Sequence, residues 1–205
     1  LIYLFNFNIL ITSIFLVTCI ISIVNFVNFM DGIDGLVAIC LFISLGSIFI
    51  YREDSQYILW LLGSLLGFLF WNWSPAKVFM GDIGSTFLGV YYAGLLIFSN
   101  DLYELVGLLL INAPLLMDAF LCVIRRQINK QNPFKAHKLH LYQRLVSAGW
   151  PHKKVSILYG FLTLLSAIIF IKMGLNYLLY FLIVEILIGF YLDQKIAKPF
   201  QNIII

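Results

Sequence analysis

The segment from Leu4 to Val27 reads LFNFNILITSIFLVTCIISIVNFV and contains no charged side chain. About 20 consecutive apolar residues are enough for a helix to cross the hydrocarbon core of a bilayer. The whole chain of 205 residues is 62% hydrophobic and only 11% charged, which is more apolar side chain than a soluble core of this size could bury. The sequence therefore predicts an all-α, polytopic integral membrane protein.

Similar apolar segments recur and predict about seven transmembrane helices in a single membrane-embedded domain, residues 1–205. The segments are Leu4–Val27, Leu36–Tyr51, Tyr57–Trp73, Thr86–Phe98, Leu102–Ile124, Val155–Ile171 and Asn176–Leu192. The fourth reaches only about 20 Å at 1.5 Å per residue, so Ile83 is an alternative start for it. The fifth contains Asn112 and Pro114, which predict a kink near its middle.

Directly after the first helix, the segment NFMDGIDGL at residues 28–36 concentrates polar groups. Asn28, Asp31 and Asp34 are spaced three apart, which brings their side chains to one side of a helical or turn-like segment. Carboxylates are costly near hydrocarbon, so we expect them at a membrane surface or in a wet cavity. There they could bind a hard cation such as Mg²⁺. The alternative is an ordinary polar loop between two hydrophobic helices.

A second polar segment, Gly81-Asp82-Ile83-Gly84-Ser85, precedes the fourth helix. Its glycines let the backbone approach a ligand closely. Ser85 is predicted to be the N-cap of that helix, whose positive end favours phosphate. Asp82 could then hold a metal ion that bridges the phosphate. The alternative, an Asp-Gly turn with a capping serine, fits the isolated pattern equally well.

The long loop after the fifth helix is basic. It holds eight of the thirteen basic residues, namely Arg125, Arg126, Lys130, Lys135, Lys138, Arg144, Lys153 and Lys154. Pro133 and Gly149 bound a predicted short amphipathic helix. On that helix His137, His140 and Arg144 would share a face suited to anionic phosphates. One alternative is a basic loop resting on anionic lipid. Another is zinc held by the two histidines, which is weak because no third ligand lies close in sequence.

The positions of the basic residues predict which loops share a side of the membrane. Loops rich in Lys and Arg stay in the cytoplasm, which places Arg125–Lys154 there. Counting crossings backwards puts Ser74–Ser85 and Asn28–Gly35 on the same side, and Ser99–Asp101 and Arg52–Gln56 on the other. Three polar loops on one face are what an active site needs, and they argue against a transport path at the bilayer midplane.

Three motifs, in this order, resemble the polyprenyl-phosphate N-acetylhexosamine-1-phosphate transferases, which are glycosyltransferase family 4 and include the phospho-N-acetylmuramoyl-pentapeptide transferases. The motifs are Asn28-x-x-Asp31-Gly-x-Asp34-Gly-Leu36, Phe79-Met80-Gly81-Asp82-x-Gly84-Ser85 and Ala136-His137-x-x-His140-x-Tyr142-Gln143-Arg144-Leu145. The histidine motif is more similar to the branch that starts O-antigen or related surface glycans. The pentapeptide transferases tend to carry three consecutive histidines, which this chain lacks.

The resemblance implies a reaction, a cofactor and partners. Undecaprenyl phosphate would attack a UDP-N-acetylhexosamine at the cytoplasmic face of a bacterial inner membrane and release UMP. The lipid-linked sugar would start a cell-surface glycan such as the O-antigen of lipopolysaccharide or a teichoic acid. The implied cofactor is Mg²⁺, with Mn²⁺ as the possible substitute. The lipid bilayer is the remaining partner, and no nucleic acid is implied.

The resemblance also implies roles for particular residues. The implied catalytic residues are Asp31, Asp34, Asp82, His137 and His140. The implied substrate-binding residues are Asn28, Gly81, Ser85 and Arg144. Within this set, Asp82 would bind Mg²⁺ with Asn28 nearby, and the two histidines would contact the sugar diphosphate. The first two aspartates would shape the nucleotide and metal pocket.

One part of the family pattern lies outside this sequence. Family members carry an Asp-Asp motif on an earlier cytoplasmic loop, and nothing before Asn28 supplies it. We therefore expect a C-terminal portion of a longer enzyme or the product of a decayed gene. Alone, it should insert in membranes without turning over substrate. Without the upstream helices, intramembrane groups such as Asp118 are expected to lack partners.

Other functions remain open from the residues alone. The chain could be an inactive fragment, a non-enzymatic membrane subunit or a transporter. A CDP-alcohol phosphotransferase is disfavoured, because Ala38 is followed by Ile39 where that family has arginine, and no further spaced aspartates follow. Cys19, Cys40 and Cys122 all lie in apolar segments without shared spacing, which predicts buried, reduced packing residues rather than metal ligands.

Overall fold

The computed structural model describes residues 9–52, 56–131 and 137–200. Those residues form nine α-helices and no strand, which confirms the predicted all-helical class. The helices are α1 Ile9–Phe29, α2 Leu36–Arg52, α3 Gln56–Asn72, α4 Gly81–Ile97, α5 Leu102–Ile111, α6 Ala113–Ile128, α7 Leu141–Ser147, α8 His152–Met173 and α9 Leu175–Lys195. Residues 4–8 of the first predicted helix, 53–55 of the first turn and 132–136 of the basic loop lie outside the described residues.

The helices divide by length into those that can cross a bilayer alone and those that are shorter. Three, α1, α8 and α9, are long and apolar enough to cross, and α5 with α6 passes the same criterion as a bent pair. Among the described residues this supports three or four spans. The helices α2, α3 and α4 have 17 residues each, about 25 Å. The full count of seven spans stays a prediction.

The predicted kink in the fifth helix is a full break. The helices α5 and α6 meet at Asn112 with an angle of 82°. The backbone N–H of Asn112 donates to Leu109 O (3.2 Å) and closes α5, while its carbonyl accepts from Leu116 N (3.1 Å) and opens α6. Pro114 in the first turn of α6 has no N–H to donate, so it could not have continued α5.

The helix α4 begins five residues earlier than predicted. Gly81 has a φ of +65°, which a residue with a side chain rarely adopts, and the helix starts there. Asp82 therefore lies in the first turn, where a carboxylate is favoured by the helix dipole. The prediction that Ser85 caps this helix is wrong. Ser85 lies inside α4, and its Oγ donates to the carbonyl of Gly81 (3.1 Å).

The helix α7 is shorter than the predicted amphipathic helix. His140 occupies its N-cap position with ψ of 148°, and the backbone N–H of His140 donates to Gln143 Oε1 (3.3 Å). This extended backbone keeps His137 and His140 outside the helix. The predicted helical face shared by both histidines and Arg144 is therefore wrong.

Buried contacts join the helices into one bundle whose polar ends separate into two groups. The packed pairs include α1 with α4, α2 with α3 and α8, and α8 with α9. At one end, Arg52 is paired with Glu104 and donates to Ser99 Oγ (3.1 Å). At the other end lie the three motif segments. This grouping confirms the predicted convergence of the three motif segments.

Fusion reporters test whether these two ends lie on opposite sides of a membrane. We expect reporters fused after Asp82 and after Lys138 to give the same compartment, and one fused after Asp101 to give the other, because loops rich in Lys and Arg favour the cytoplasmic side. The measurement is paired alkaline phosphatase and fluorescent protein fusions. A split between the first two reporters would contradict the shared site.

Candidate active site

The first two motifs meet where the C-terminal end of α1 packs against the start of α4. Asn28 Nδ2 donates to Asp82 Oδ1 (3.2 Å) and to Ser85 Oγ (2.9 Å). Both protons of this amide nitrogen are thus engaged, which leaves its oxygen for a ligand. The close approach of the helices depends on Gly89, where an added Cβ would lie 3.0 Å from Val24 Cα.

Asp31 lies close enough to Asp82 for the two carboxylates to interact. Burial first, and the charge of Asp82 second, raise the pKa of Asp31 to about 6. A cation between the two carboxylates would relieve both effects. Carboxylate and amide oxygens are the donors that hard cations take, so Asp31, Asp82 and Asn28 fit a divalent cation of that kind.

Asp34 contacts different residues and joins three segments. Its Oδ2 accepts from Ala76 N (3.3 Å), and its Oδ1 lies 3.3 Å from His152 Nδ1. Its backbone carbonyl accepts from Ser156 Oγ (2.7 Å). These bonds hold the turn after α1 against the segment before α4 and against α8. Within the part of the chain that the structure describes, these contacts give Asp34 a structural role, since they hold the segments around the site together.

Asn72, at the end of α3, fixes the same turn from the other side. Its Oδ1 accepts from Gly35 N (3.0 Å), and its Nδ2 donates to Val78 O (2.8 Å). Asn72 is buried, so both bonds are shielded from water and hold well. The segment before α4 is thereby tied to the first motif.

The third motif is held in place by Asp118 of α6. One carboxylate oxygen accepts from Leu141 N (2.7 Å), and the other accepts from Tyr142 N (3.0 Å) and Tyr159 Oη (2.8 Å). The expectation that Asp118 lacks partners is wrong. Its partners are the otherwise unbonded N–H groups at the start of α7 and a hydroxyl of α8.

Tyr142 then connects the third motif to the first. Its hydroxyl donates to the carbonyl of Phe29 (3.1 Å), and its side chain is fully buried. Gly32 lies directly against this hydroxyl, leaving no room for a Cβ. Tyr142, which lies between His140 and Gln143 in the motif, thus sets the distance between the acidic turn and the histidine segment.

The two histidines lie side by side, with ring centroids 5.1 Å apart. Burial first, then the charges of His140 and Arg126, lower the pKa of His137 to about 4. Burial likewise lowers the pKa of His140, against the opposing charge of Asp118. Both imidazoles are therefore neutral at neutral pH, and they can donate hydrogen bonds to a phosphate without carrying charge.

Arg144 is directed away from the histidines. It is 2% exposed, donates to Leu139 O (3.1 Å) and Lys198 O (2.8 Å), and is paired with Asp193 of α9. Its implied contact with substrate stays a prediction that this geometry does not favour. The cation whose charge acts on both histidines is Arg126.

Residues 1–100 match the family model described as glycosyl transferase family 4. Residues 1–100 belong to this family. The match covers the first two motifs and the α1–α4 contact that joins them, so the acidic half of the site lies within the matched segment.

Relatives extend the comparison within glycosyl transferase family 4. The chain is 39% identical over 117 residues to a probable undecaprenyl-phosphate N-acetylglucosaminyl 1-phosphate transferase of Bacillus subtilis, covering 53% of this chain and 32% of the relative. It is 34% identical over 120 residues to a phospho-N-acetylmuramoyl-pentapeptide-transferase of Carboxydothermus hydrogenoformans, covering 58% and 36%. The matched segment thus spans about a third of the length of these curated relatives.

Several residues that build this family 4 site were missed by the sequence reasoning. They are Asn72, Arg126, Tyr142, His152 and Asp193. A signal existed for Asn72, because a polar side chain at the end of an apolar helix is a functional candidate. Tyr142 stood inside a quoted motif, yet only the fold shows that it touches the first motif. His152 and Asp193 carried no local signal.

Substitution at Gly32 tests the contact with Tyr142. We expect Gly32→Ala to destabilise the protein by about 1–3 kcal/mol, because the new Cβ overpacks a buried ring. Adding Tyr142→Phe should recover most of the loss, since the nearest ring carbon is 3.1 Å away once the hydroxyl is removed. Thermal unfolding of the purified variants measures both effects.

Gly63→Ala is the matched control for this cycle, because no atom lies within 4 Å of a Cβ added there. It should be neutral or slightly stabilising in its helix. Equal losses from the single and double variants would contradict the proposed contact.

Proposed function

We propose that the protein containing this chain transfers N-acetylhexosamine 1-phosphate from a UDP-sugar to undecaprenyl phosphate and releases UMP. The observation that carries the proposal is the contact of Asn28 with Asp82, beside Asp31, at the end of the bundle where the histidine segment docks. Membership in glycosyl transferase family 4 and the names of the relatives support this reaction class.

We propose Mg²⁺ as the cofactor, with Asp82 and Asp31 as carboxylate ligands and Asn28 Oδ1 as an amide ligand. The donor set supports this choice because all three groups present oxygen, which Mg²⁺ prefers. When bound, Mg²⁺ would neutralise the diphosphate and make UMP a better leaving group. Mn²⁺ takes the same donors.

The residues of the chain have separate tasks in this proposal. His137 and His140, both neutral, donate hydrogen bonds to the sugar diphosphate and orient it. Asp34 and Asn72 hold the acidic turn in position, and Asp118 holds the histidine segment. Most of phosphoryl-transfer catalysis is positioning and charge stabilisation, so these framework bonds contribute directly to rate.

The proposed setting is the cytoplasmic face of a bacterial inner membrane, where a soluble nucleotide sugar and a lipid acceptor can both reach the site. UDP-N-acetylglucosamine is the proposed donor, because the Bacillus subtilis relative carries that sugar in its name. The product would start a surface glycan, such as an O-antigen or a teichoic acid.

The test is UMP release by the complete purified protein, with undecaprenyl phosphate and UDP-N-acetylglucosamine, in the presence and absence of Mg²⁺. We expect release that requires all three components. UDP-N-acetylgalactosamine and UDP-N-acetylmuramoyl-pentapeptide serve as donor controls. Release without the lipid acceptor, or none with any donor, would contradict the proposed transfer.

The pKa of Asp31 predicts how Mg²⁺ binding depends on pH. Because this pKa is raised to about 6, the carboxyl holds a proton below that pH and must release it to bind the cation. Affinity for Mg²⁺ should therefore fall by about tenfold per pH unit once the pH is well below 6. Calorimetric titrations at about pH 5 and about pH 7.5 measure this change.

The variant Asp31→Asn tests whether Asp31, rather than another group of the site, carries the proton that competes with Mg²⁺. The variant should bind Mg²⁺ more weakly at neutral pH and with a flatter pH profile, because its amide does not titrate. An unchanged pH profile in Asp31→Asn would show that another group carries the proton.

A further inference from the structure

A cysteine that the sequence separates from the histidines lies beside them in the fold. Cys122 belongs to α6, and His137 and His140 precede α7. One ligand atom from each lies within 4.8 Å of the other two. In a tetrahedral zinc site the ligand atoms are about 3.5 Å apart, so about 1 Å of side-chain movement would bring the three onto one ion.

An independent observation marks the same place. His140 is 3% exposed, and within the described part of the chain its Nδ1 makes no hydrogen bond. The nearest carboxylate oxygen, Asp118 Oδ1, lies 3.8 Å from it. Buried nitrogen atoms are normally paired, so this one points to a ligand that completes the site.

Burial first, and the charge of Asp118 second, disfavour a thiolate at Cys122, whereas Arg125, Arg126 and Arg144 favour one. The thiolate is the form that binds metal, so the thiol gives up its proton only as a cation binds to the sulfur.

The donor set selects a different ion from the one at the acidic turn. One sulfur and two imidazole nitrogens suit Zn²⁺ and Co²⁺, whereas Mg²⁺ takes oxygen. Three protein ligands leave a fourth position open for water. On binding, the Cys122 thiol releases its proton to solvent.

We propose that Cys122, His137 and His140 form a second metal site, for Zn²⁺ or a similar borderline cation. Its occupation withdraws both histidines from the substrate diphosphate, a consequence that rests on the proposed transferase function. Zinc at this site therefore inhibits the enzyme, and the site itself exists whether or not substrate binds.

Cobalt reports the site without any substrate. The purified chain in detergent is titrated with Co²⁺, and the absorption band of thiolate-to-cobalt charge transfer is recorded. We expect one Co²⁺ per chain, displaced by Zn²⁺ but not by Mg²⁺. Cys122→Ser should abolish the band, and Cys40→Ser, an equally buried cysteine in α2, should keep it.

His137→Gln is the second variant, because His137 is only half-buried and its replacement leaves the packing of α6 intact. It should weaken Co²⁺ binding by at least about tenfold. Circular dichroism and size-exclusion profiles establish that each variant is folded. No band in the folded protein, or a band that survives Cys122→Ser, overturns the site.

Inhibition is measured separately, on UMP release by the complete protein. Cys122→Ser should raise the Zn²⁺ concentration for half-inhibition by at least about tenfold, while Cys40→Ser leaves it unchanged. If the cobalt band appears but inhibition does not depend on Cys122, the metal site exists and the proposed competition with substrate is wrong. If the protein releases no UMP at all, the transferase proposal fails. The metal site is still tested, because the cobalt titration needs no enzyme activity.

Discussion

Asp82→Asn should reduce UMP release by about a thousandfold or more in the complete protein, while the protein still inserts in the membrane and folds. A neutral amide is a poor substitute for a carboxylate at a hard cation, and a metal ion supplies several kcal/mol of charge stabilisation, each 1.36 kcal/mol being tenfold in rate. The fold should tolerate the change, since Asp82 is exposed and its amide replacement can still accept from Asn28.

Asp101→Asn is the matched control for this variant. Asp101 is also an exposed aspartate at the start of a helix, where its side chain accepts from Glu104 N (2.7 Å), but it lies at the other end of the bundle. Asparagine caps a helix nearly as well, so activity should be unchanged. Near-normal turnover by Asp82→Asn at ordinary Mg²⁺ would remove this residue from the metal site.

The helical architecture was accessible from sequence because apolar length decides it. Segments such as His152–Met173 are long enough to cross a bilayer whatever surrounds them. Where a helix starts or breaks depends on single residues and on packing. Gly81 was predicted to precede the fourth helix, but the helix begins at this residue. Asn112 and Pro114 predicted a kink, whereas the structure has a full break of 82° between α5 and α6.

The candidate site was predictable in its members and not in their connections. Charge bias and the crossing count brought Asp31, Asp82 and His140 to one end, as the fold has them. The neutrality of the histidines could not be predicted, because it results from burial by residues far away in sequence. Arg144 illustrates the same limit. Its i, i+4 spacing from His140 was interpreted as a shared face, but it pairs with Asp193, 49 positions on.

Asp118→Asn should detach the histidine segment and destabilise the protein. An amide offers one oxygen where the carboxylate accepts three hydrogen bonds, so buried N–H groups of α7 lose their acceptor. Each such loss costs about 1–3 kcal/mol, and a total of about 3 kcal/mol lowers the unfolding temperature by about 6–12 °C for a chain of this size.

Limited trypsin digestion locates the effect of Asp118→Asn. Arg144 is 2% exposed in the folded protein, so cleavage after it requires α7 to leave its place. We expect this cleavage to become rapid in the variant. Tyr159→Phe removes only one of the three donors and should shift stability by about 1 kcal/mol without exposing Arg144. Persistent protection of Arg144 in Asp118→Asn would show that another contact holds α7.

The bond between Tyr142 and Phe29 has a consequence for how the chain is made. Asn28 and Asp82 contact each other within the part that ends with α4 at Ile97, whereas Tyr142 is synthesised 45 residues later (142 − 97 = 45). At about 5–20 residues per second, a ribosome needs about 2–9 s for that interval. The residues of the acidic half of the site are therefore available to assemble in the membrane before the half that closes it has been translated.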